Sequence, residues 1–73
     1  MTIFSERLKE LRITKDKRQK DVAETIGITL RAYQYYETAT KEPTMSKLSS
    51  LADYFNVSID YLVGRTDNPK INR

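Results

Sequence analysis

Apolar residues recur along this chain in short stripes at helical spacing, separated by polar breaks. Phe4, Leu8 and Leu11 stand at i, i+4 and i+7, which predicts an amphipathic first helix capped by Thr2 or Ser5 and ending near Ile13 or Thr14. Val22, Ala23 and Ile26 form the inner stripe of a second helix, for which Asp16 as N-cap and Gln19 at N3 suggest a capping box. The third helix runs from about Leu30 to Glu37, with Tyr33 and Tyr36 three apart on its inner face. The segment TATKEPT is polar, and Pro43 biases Glu42 away from helix, so this is the longest loop. Thr44 then caps a fourth helix carrying Leu48, Leu51, Ala52 and Phe55, which ends near Asn56. Ser58 caps a short fifth helix, Ile59 to Val63, with Asp60 in its first turn and Gly64 as its stop. No β pattern or internal repeat interrupts this series. The expected fold is all-α: a compact five-helix domain over residues 1–64, followed by a polar tail, 65–73, with little to bury and expected to be mobile or to belong to a partner-bound state.

The stretch QKDVAETIGITLRAYQYYE, from Gln19 to Glu37, has the makings of a tight corner between two helices. Helices crossing steeply approach closely only where a side chain is small, which suits Ala23, and a short turn needs the positive φ that Gly27 adopts at little cost. Thr29 sits where an N-cap oxygen satisfies the free N–H groups of the next helix. These features in register read as a helix-turn-helix in which the second and third helices form the corner.

Composition narrows the chemistry. Seventy-three residues make one domain with a modest core. There is no cysteine and no histidine, so thiolate ligands, the commonest metal ligand and the commonest general base are all missing. Neither a catalytic site nor a metal or cofactor site is expected. No apolar run approaches the length of a membrane span, and the start MTIFSERLKE lacks the apolar core of a signal peptide. The expectation is a cytoplasmic protein without membrane partners or an evident small-molecule ligand. The net charge of +3 is small, but its distribution is uneven. Residues 1–20 hold Arg7, Lys9, Arg12, Lys15, Lys17, Arg18 and Lys20 against Glu6, Glu10 and Asp16, whereas residues 42–67 are net acidic. Alone, such a run reads as a solvated helix face; beside a helix-turn-helix it gives phosphates somewhere to land.

With RLKELR, then QKDVAETIGIT, then YQYYETATKEPTMSKLSSLADYFNVSIDYLVGRTD, the chain resembles the DNA-binding domain of the Cro/C1 and Xre-like helix-turn-helix family, which is lambda-repressor-like in fold. The resemblance spans about Phe4 to Asp67. It implies a domain that binds a double-stranded operator, usually as a homodimer on a palindrome, with the helix after Thr29 in the major groove. The outward positions at the start of that helix are Leu30, Arg31, Gln34 and Tyr35. Arg31 suits guanine O6 and N7, Gln34 suits adenine or a phosphate, and Leu30 suits a thymine methyl; positions matching Leu30, Arg31 and Tyr35 commonly read bases in the family. Each is also an ordinary surface side chain if no DNA is bound.

Other roles follow from the same resemblance. Gln19 matches a glutamine that meets the DNA backbone, a role compatible with capping. Thr38, Thr40, Lys41 and Thr44 match the loop that contacts phosphates, and Thr29 is a further phosphate candidate. Arg12 and Glu37 match a pair that bridges the first helix to the end of the third, and with Ala23 and Gly27 they are expected to support the reading helix. Three positions depart from the family pattern: Lys17 where an apolar residue is usual, Arg18 where a Ser or Thr cap is usual, and Ala39 where Gly or Asn is usual. Lys17 and Arg18 make the start of the second helix more basic, suggesting extra phosphate contacts or a shifted helix start. Val57, Ile59, Tyr61, Leu62 and Val63 offer more apolar surface than a short helix needs to dock, and are the expected dimer surface unless they merely close the core. The leading reading is a sequence-specific transcriptional regulator of the phage-repressor type. The alternative is an antitoxin or protein-interaction module on the same fold.

Overall fold

A computed structural model describes residues 2–71 and contains five helices: α1 (Ile3–Thr14), α2 (Gln19–Ile26), α3 (Leu30–Glu37), α4 (Met45–Phe55) and α5 (Ile59–Leu62). Their starts follow hydroxyl chemistry. The side chains of Thr2, Thr29, Thr44 and Ser58 accept hydrogen bonds from the N–H groups of Ser5, Ala32, Lys47 and Tyr61, satisfying donors that the first turn leaves free. At Thr2 the pairing is reciprocal, since Ser5 Oγ accepts from the Thr2 N–H at 3.0 Å.

The exception is α2. Asp16 does not cap it: the helix begins two residues after Lys17, with Arg18 at the N-cap position, and Asp16 instead belongs to the turn that ends α1, at φ +56. The capping carboxylate is Asp21, which accepts from the Arg18 N–H at 3.1 Å and from the Arg18 guanidinium at 3.0 and 2.8 Å. A backbone that has just turned left-handed cannot serve as the extended residue from which a helix starts, so the start moves past it.

All five helices end alike. Asp16, Gly27, Ala39, Asn56 and Gly64 are the five positive-φ residues among those described. At each, the following N–H reaches back to the carbonyl five residues before it: Lys17 to Arg12, Ile28 to Ala23, Thr40 to Tyr35, Val57 to Ala52 and Arg65 to Asp60, at 2.8–3.0 Å. This is the Schellman closure, which satisfies carbonyls left open by the last turn. It explains the usual Gly or Asn at the position of Ala39, whose φ is +62. At Gly64 the constraint is doubled, because a Cβ would lie 2.6 Å from Ile3 Cγ2.

The inner faces meet in one core built from Leu8 of α1, Val22, Ala23 and Ile26 of α2, Tyr33 and Tyr36 of α3, and Leu48, Leu51, Ala52 and Phe55 of α4, closed by Val57 and Leu62. Val57 and Leu62 are therefore interior residues and present no surface to a second chain. Ile59, Tyr61 and Val63 are half-buried against the same core. Phe4 packs edge-on to Tyr36, with ring centroids 6.4 Å apart. α5 docks on both α1 and α4.

The segment after Gly64, expected to be mobile, carries specific contacts. Arg7 donates to the carbonyl oxygens of Tyr61 and Thr66, pairs with Asp67 at 2.8 Å, and lies 4.2 Å above the Tyr61 ring. The Ser58 N–H donates to Pro69 O at 2.9 Å. Residues 72–73 of the expected tail lie outside the described residues.

The left-handed alanine makes a direct test. An L side chain in this conformation costs roughly 1–2 kcal/mol, partly offset by the greater unfolded-state freedom of glycine. Ala39→Gly is expected to raise the free energy of unfolding by about 0.5–1 kcal/mol, with an unchanged denaturant slope, in urea titration.

Candidate nucleic-acid interface

The corner is built by small and left-handed residues. Ala23, 2% exposed, lies where α2 and α3 converge, and Gly27 turns the chain at φ +79. Thr29 then caps α3 through the Ala32 N–H at 3.1 Å. From there α3 divides cleanly. Tyr33, Tyr36 and Glu37 face inward, while Leu30, Arg31, Gln34 and Thr38 are exposed and Tyr35 is half-buried at the edge. Leu30 is 43% exposed, unusual for a leucine beside a well-formed core.

The inward face is fixed by one carboxylate. Glu37 is 5% exposed, and its two oxygens accept four hydrogen bonds. Oε2 takes Arg12 Nε at 2.6 Å and the Tyr33 hydroxyl at 2.5 Å; Oε1 takes Arg12 Nη2 and Gln19 Nε2, both at 3.2 Å. Burial by itself raises the pKa of this carboxyl, but the hydrogen bonds from Arg12, Tyr33 and Gln19 outweigh it and hold the group below its ordinary value of 4.5. Burial, then the Glu37 hydrogen bond, pushes the Tyr33 phenol above its ordinary value, and Glu37 raises Arg12. Arg12 also donates from Nη1 to Lys17 O at 3.1 Å, so the same guanidinium holds the turn leading into α2. The pair is thus bidentate and joins α1, α2 and α3.

Around this hub the remaining sequence candidates occupy different situations. Lys17 and Arg18 are exposed at the start of α2, but the Arg18 guanidinium is already paired with Asp21. The carboxyl of Asp21 is held below its usual range, first by the Arg18 side chain and then by the Arg18 backbone N–H. Gln19 is half-buried between Glu37 and Gln34, whose Nε2 donates to Gln19 Oε1 at 3.3 Å. Thr38 bonds back to the Gln34 and Tyr35 carbonyls and shares a 2.7 Å contact with the Thr40 hydroxyl. Lys41 holds its ammonium 5.2 Å from the Tyr35 ring centre, and exposed Thr44 caps α4.

Two residues escaped the sequence reading. Lys47 donates to the Ile26 carbonyl at 3.3 Å, so α4 neutralises the C-terminal end of α2 at the corner. Nothing in the one-dimensional pattern pairs residues 21 apart on different helices. Lys9 lies with Arg12, Arg18, Gln19, Glu37 and Thr38 around an open cleft beside α3; its place in the basic run was visible, but its face was not.

The hub predicts a pH window. A carboxyl whose folded pKa is lowered adds stability that is present above about 4.5 and is lost as pH falls through the folded value. A phenol whose folded pKa is raised adds stability that is complete below 10.0 and fades as pH rises through the folded value. Denaturant titrations across pH are expected to show a plateau between these limits. Glu37→Gln should flatten the acid limb, and an unchanged limb would contradict this assignment. Glu37→Ala leaves a largely buried guanidinium and phenol without their acceptor, at a cost of about 3 kcal/mol or more.

Comparison with known proteins agrees with the geometry. The sequence profile of the helix-turn-helix family matches residues 8–62. The chain is 39% identical over 67 residues to the HTH-type transcriptional regulator YobD of Bacillus subtilis, covering 92% of this chain and 60% of that protein. It is 43% identical over 62 residues to the cryptic phage CTXphi transcriptional repressor RstR of Vibrio cholerae, covering 85% and 55%. Among solved structures, a transcriptional regulator from Listeria innocua superimposes with a TM-score of 0.80 at 36% identity, over 84% of this chain and 57% of that one. The LexA repressor from Eubacterium rectale gives 0.81 at 31% identity, over 97% and 72%. This chain spans somewhat over half the length of the curated relatives it matches. On these grounds the chain belongs to the Cro/C1-type helix-turn-helix family of transcriptional regulators.

Proposed function

We propose that this domain binds double-stranded DNA with α3 in the major groove and acts as a repressor on a palindromic operator. The observation that carries the reading is the two-sided character of α3. Its inner face is locked to α1 and α2 by the saturated Glu37 carboxylate, while Leu30, Arg31 and Gln34 are exposed on the outer face. A reading helix needs both properties, because base contacts discriminate only when the backbone beneath them is fixed. In this reading Arg31 pairs with guanine, Leu30 and Tyr35 touch neighbouring bases, and Lys17, Gln19, Thr29, Thr38, Thr40, Lys41 and Thr44 meet phosphates. Arg18 joins them by exchanging or sharing Asp21. The name of the Vibrio relative, a phage transcriptional repressor, supports the direction of regulation.

One eight-residue helix reads few base pairs, so selecting one operator in a genome calls for two copies. The surface for that contact is the exposed part of α5 and its flanks, Ile59, Tyr61 and Val63, since Val57 and Leu62 are spent on the core. Two-fold symmetry then sets the reading helices about 34 Å apart, one turn of DNA.

Three measurements test this. Duplex affinity should fall steeply with salt, by roughly 0.9 in log–log slope per phosphate contact; no duplex binding at low salt would sink the reading. Arg31→Ala should lose about 1–3 kcal/mol on the preferred site and relax one base pair, whereas Lys41→Ala should weaken all sequences alike. Sedimentation addresses assembly: a chain that stays monomeric at high concentration and binds a half-site as tightly as the palindrome would refute the dimer.

A further inference from the structure

The Glu37 hub fixes more than the position of α3. A carboxylate held below its ordinary pKa has no proton to give and accepts only. Gln19 must therefore turn its NH₂ toward Glu37 Oε1, 3.2 Å away, which leaves Gln19 Oε1 as an acceptor on the opposite side. That oxygen in turn accepts from Gln34 Nε2 at 3.3 Å. Gln34 is thus held with its NH₂ toward the protein and Oε1 as its free acceptor. The polarity of both amides, ordinarily free to flip, follows from the charge of one carboxylate whose four acceptor directions are filled by Arg12, Tyr33 and Gln19.

We infer that Gln34 is an adenine reader and that Gln19 is the positioning residue that makes it one. Resting on the proposed DNA-binding role, this gives Gln34 one base rather than any base edge. In the major groove adenine offers an N6 donor beside an N7 acceptor, and guanine offers two acceptors, O6 and N7. Gln34 Oε1 matches the adenine N6 amine, and its second Nε2 hydrogen, not used by Gln19, matches N7. A flipped amide, which would present both N–H groups to guanine, is disfavoured because it would set Gln34 Oε1 against Gln19 Oε1. The relay is transmitted only by donor and acceptor sense, so a phosphate contact by Gln34 would make no use of it.

The test measures affinity for duplexes carrying each of the four base pairs at every operator position, with the operator found by selection from random duplexes. The unaltered chain should prefer adenine at one position by about tenfold or more, and Gln34→Ala should erase that preference alone. Gln19→Ala should weaken binding to all sequences and, in addition, reduce the adenine preference at the Gln34 position to less than about threefold. The unaltered chain also serves without mutation. Replacing that adenine by 7-deazaadenine, which lacks N7, or by purine, which lacks the N6 amine, should each weaken binding several-fold. An adenine preference that survives Gln19→Ala intact, or indifference to both analogues, would overturn the inference while leaving DNA binding itself standing. Absence of duplex binding at low salt would instead remove the DNA-binding role, and this inference with it.

Discussion

One buried carboxylate sets the terms for this structure. Glu37 closes α3 with a negative charge inside the protein, and a charge there is tolerable only if it is paired and fully hydrogen-bonded. The surroundings meet that demand completely: an arginine fork from α1, a phenol from the preceding turn of α3 and an amide from the first residue of α2. Lysine at position 12 would supply one point of charge, whereas the guanidinium reaches both oxygens and still has a donor for Lys17 O. Three helices are thereby fixed at one point, and the outer face of α3 takes its orientation from that point.

The remainder is punctuation around a small core. α2 and α3 have eight residues each, too few to be stable alone in water. Each is started by a side-chain acceptor and stopped by the same left-handed turn, so that the backbone groups exposed at the ends are satisfied locally. The apolar core then has only to hold the pieces together. Lys47 adds a cross-link of a different kind, spending a cation of α4 on the last carbonyl of α2.

Legibility in the sequence followed the range of each interaction. The limits of α1, α3 and α4 were readable because the cap, apolar stripe and stop lie within one helix; Thr44, Leu48, Leu51, Phe55 and Asn56 state a helix by themselves. The start of α2 was misplaced because Asp16 and Gln19 imitate a capping box, while Asp16 is claimed by the end of α1. The Arg12–Glu37 bridge was accessible only through family resemblance, and the part played by Tyr33 in it was not accessible at all, since a tyrosine at helical spacing reads as core. Val57 and Leu62 looked surplus in a list of apolar residues, yet they are the two apolar side chains by which a four-residue helix and its approach are buried in the core. The links from Gln19 to Gln34 and from Arg7 to Thr66 and Asp67 depend on side-chain directions that periodicity does not encode.

The Arg7 contacts bear on the order in which the domain assembles. Every donor to Glu37 lies within the first 37 residues, so that set exists once α3 has been synthesised. Arg7 meets partners 54 to 60 residues further on, the longest closures among the side-chain hydrogen bonds of the described residues, and closure entropy grows with the length of chain enclosed. The polar joint behind α3 is therefore available during elongation, whereas the seam between α1 and residues 61–67 is a late event. Vectorial synthesis from the N-terminus thus offers the partners of α3 to one another first and seals the opposite seam last.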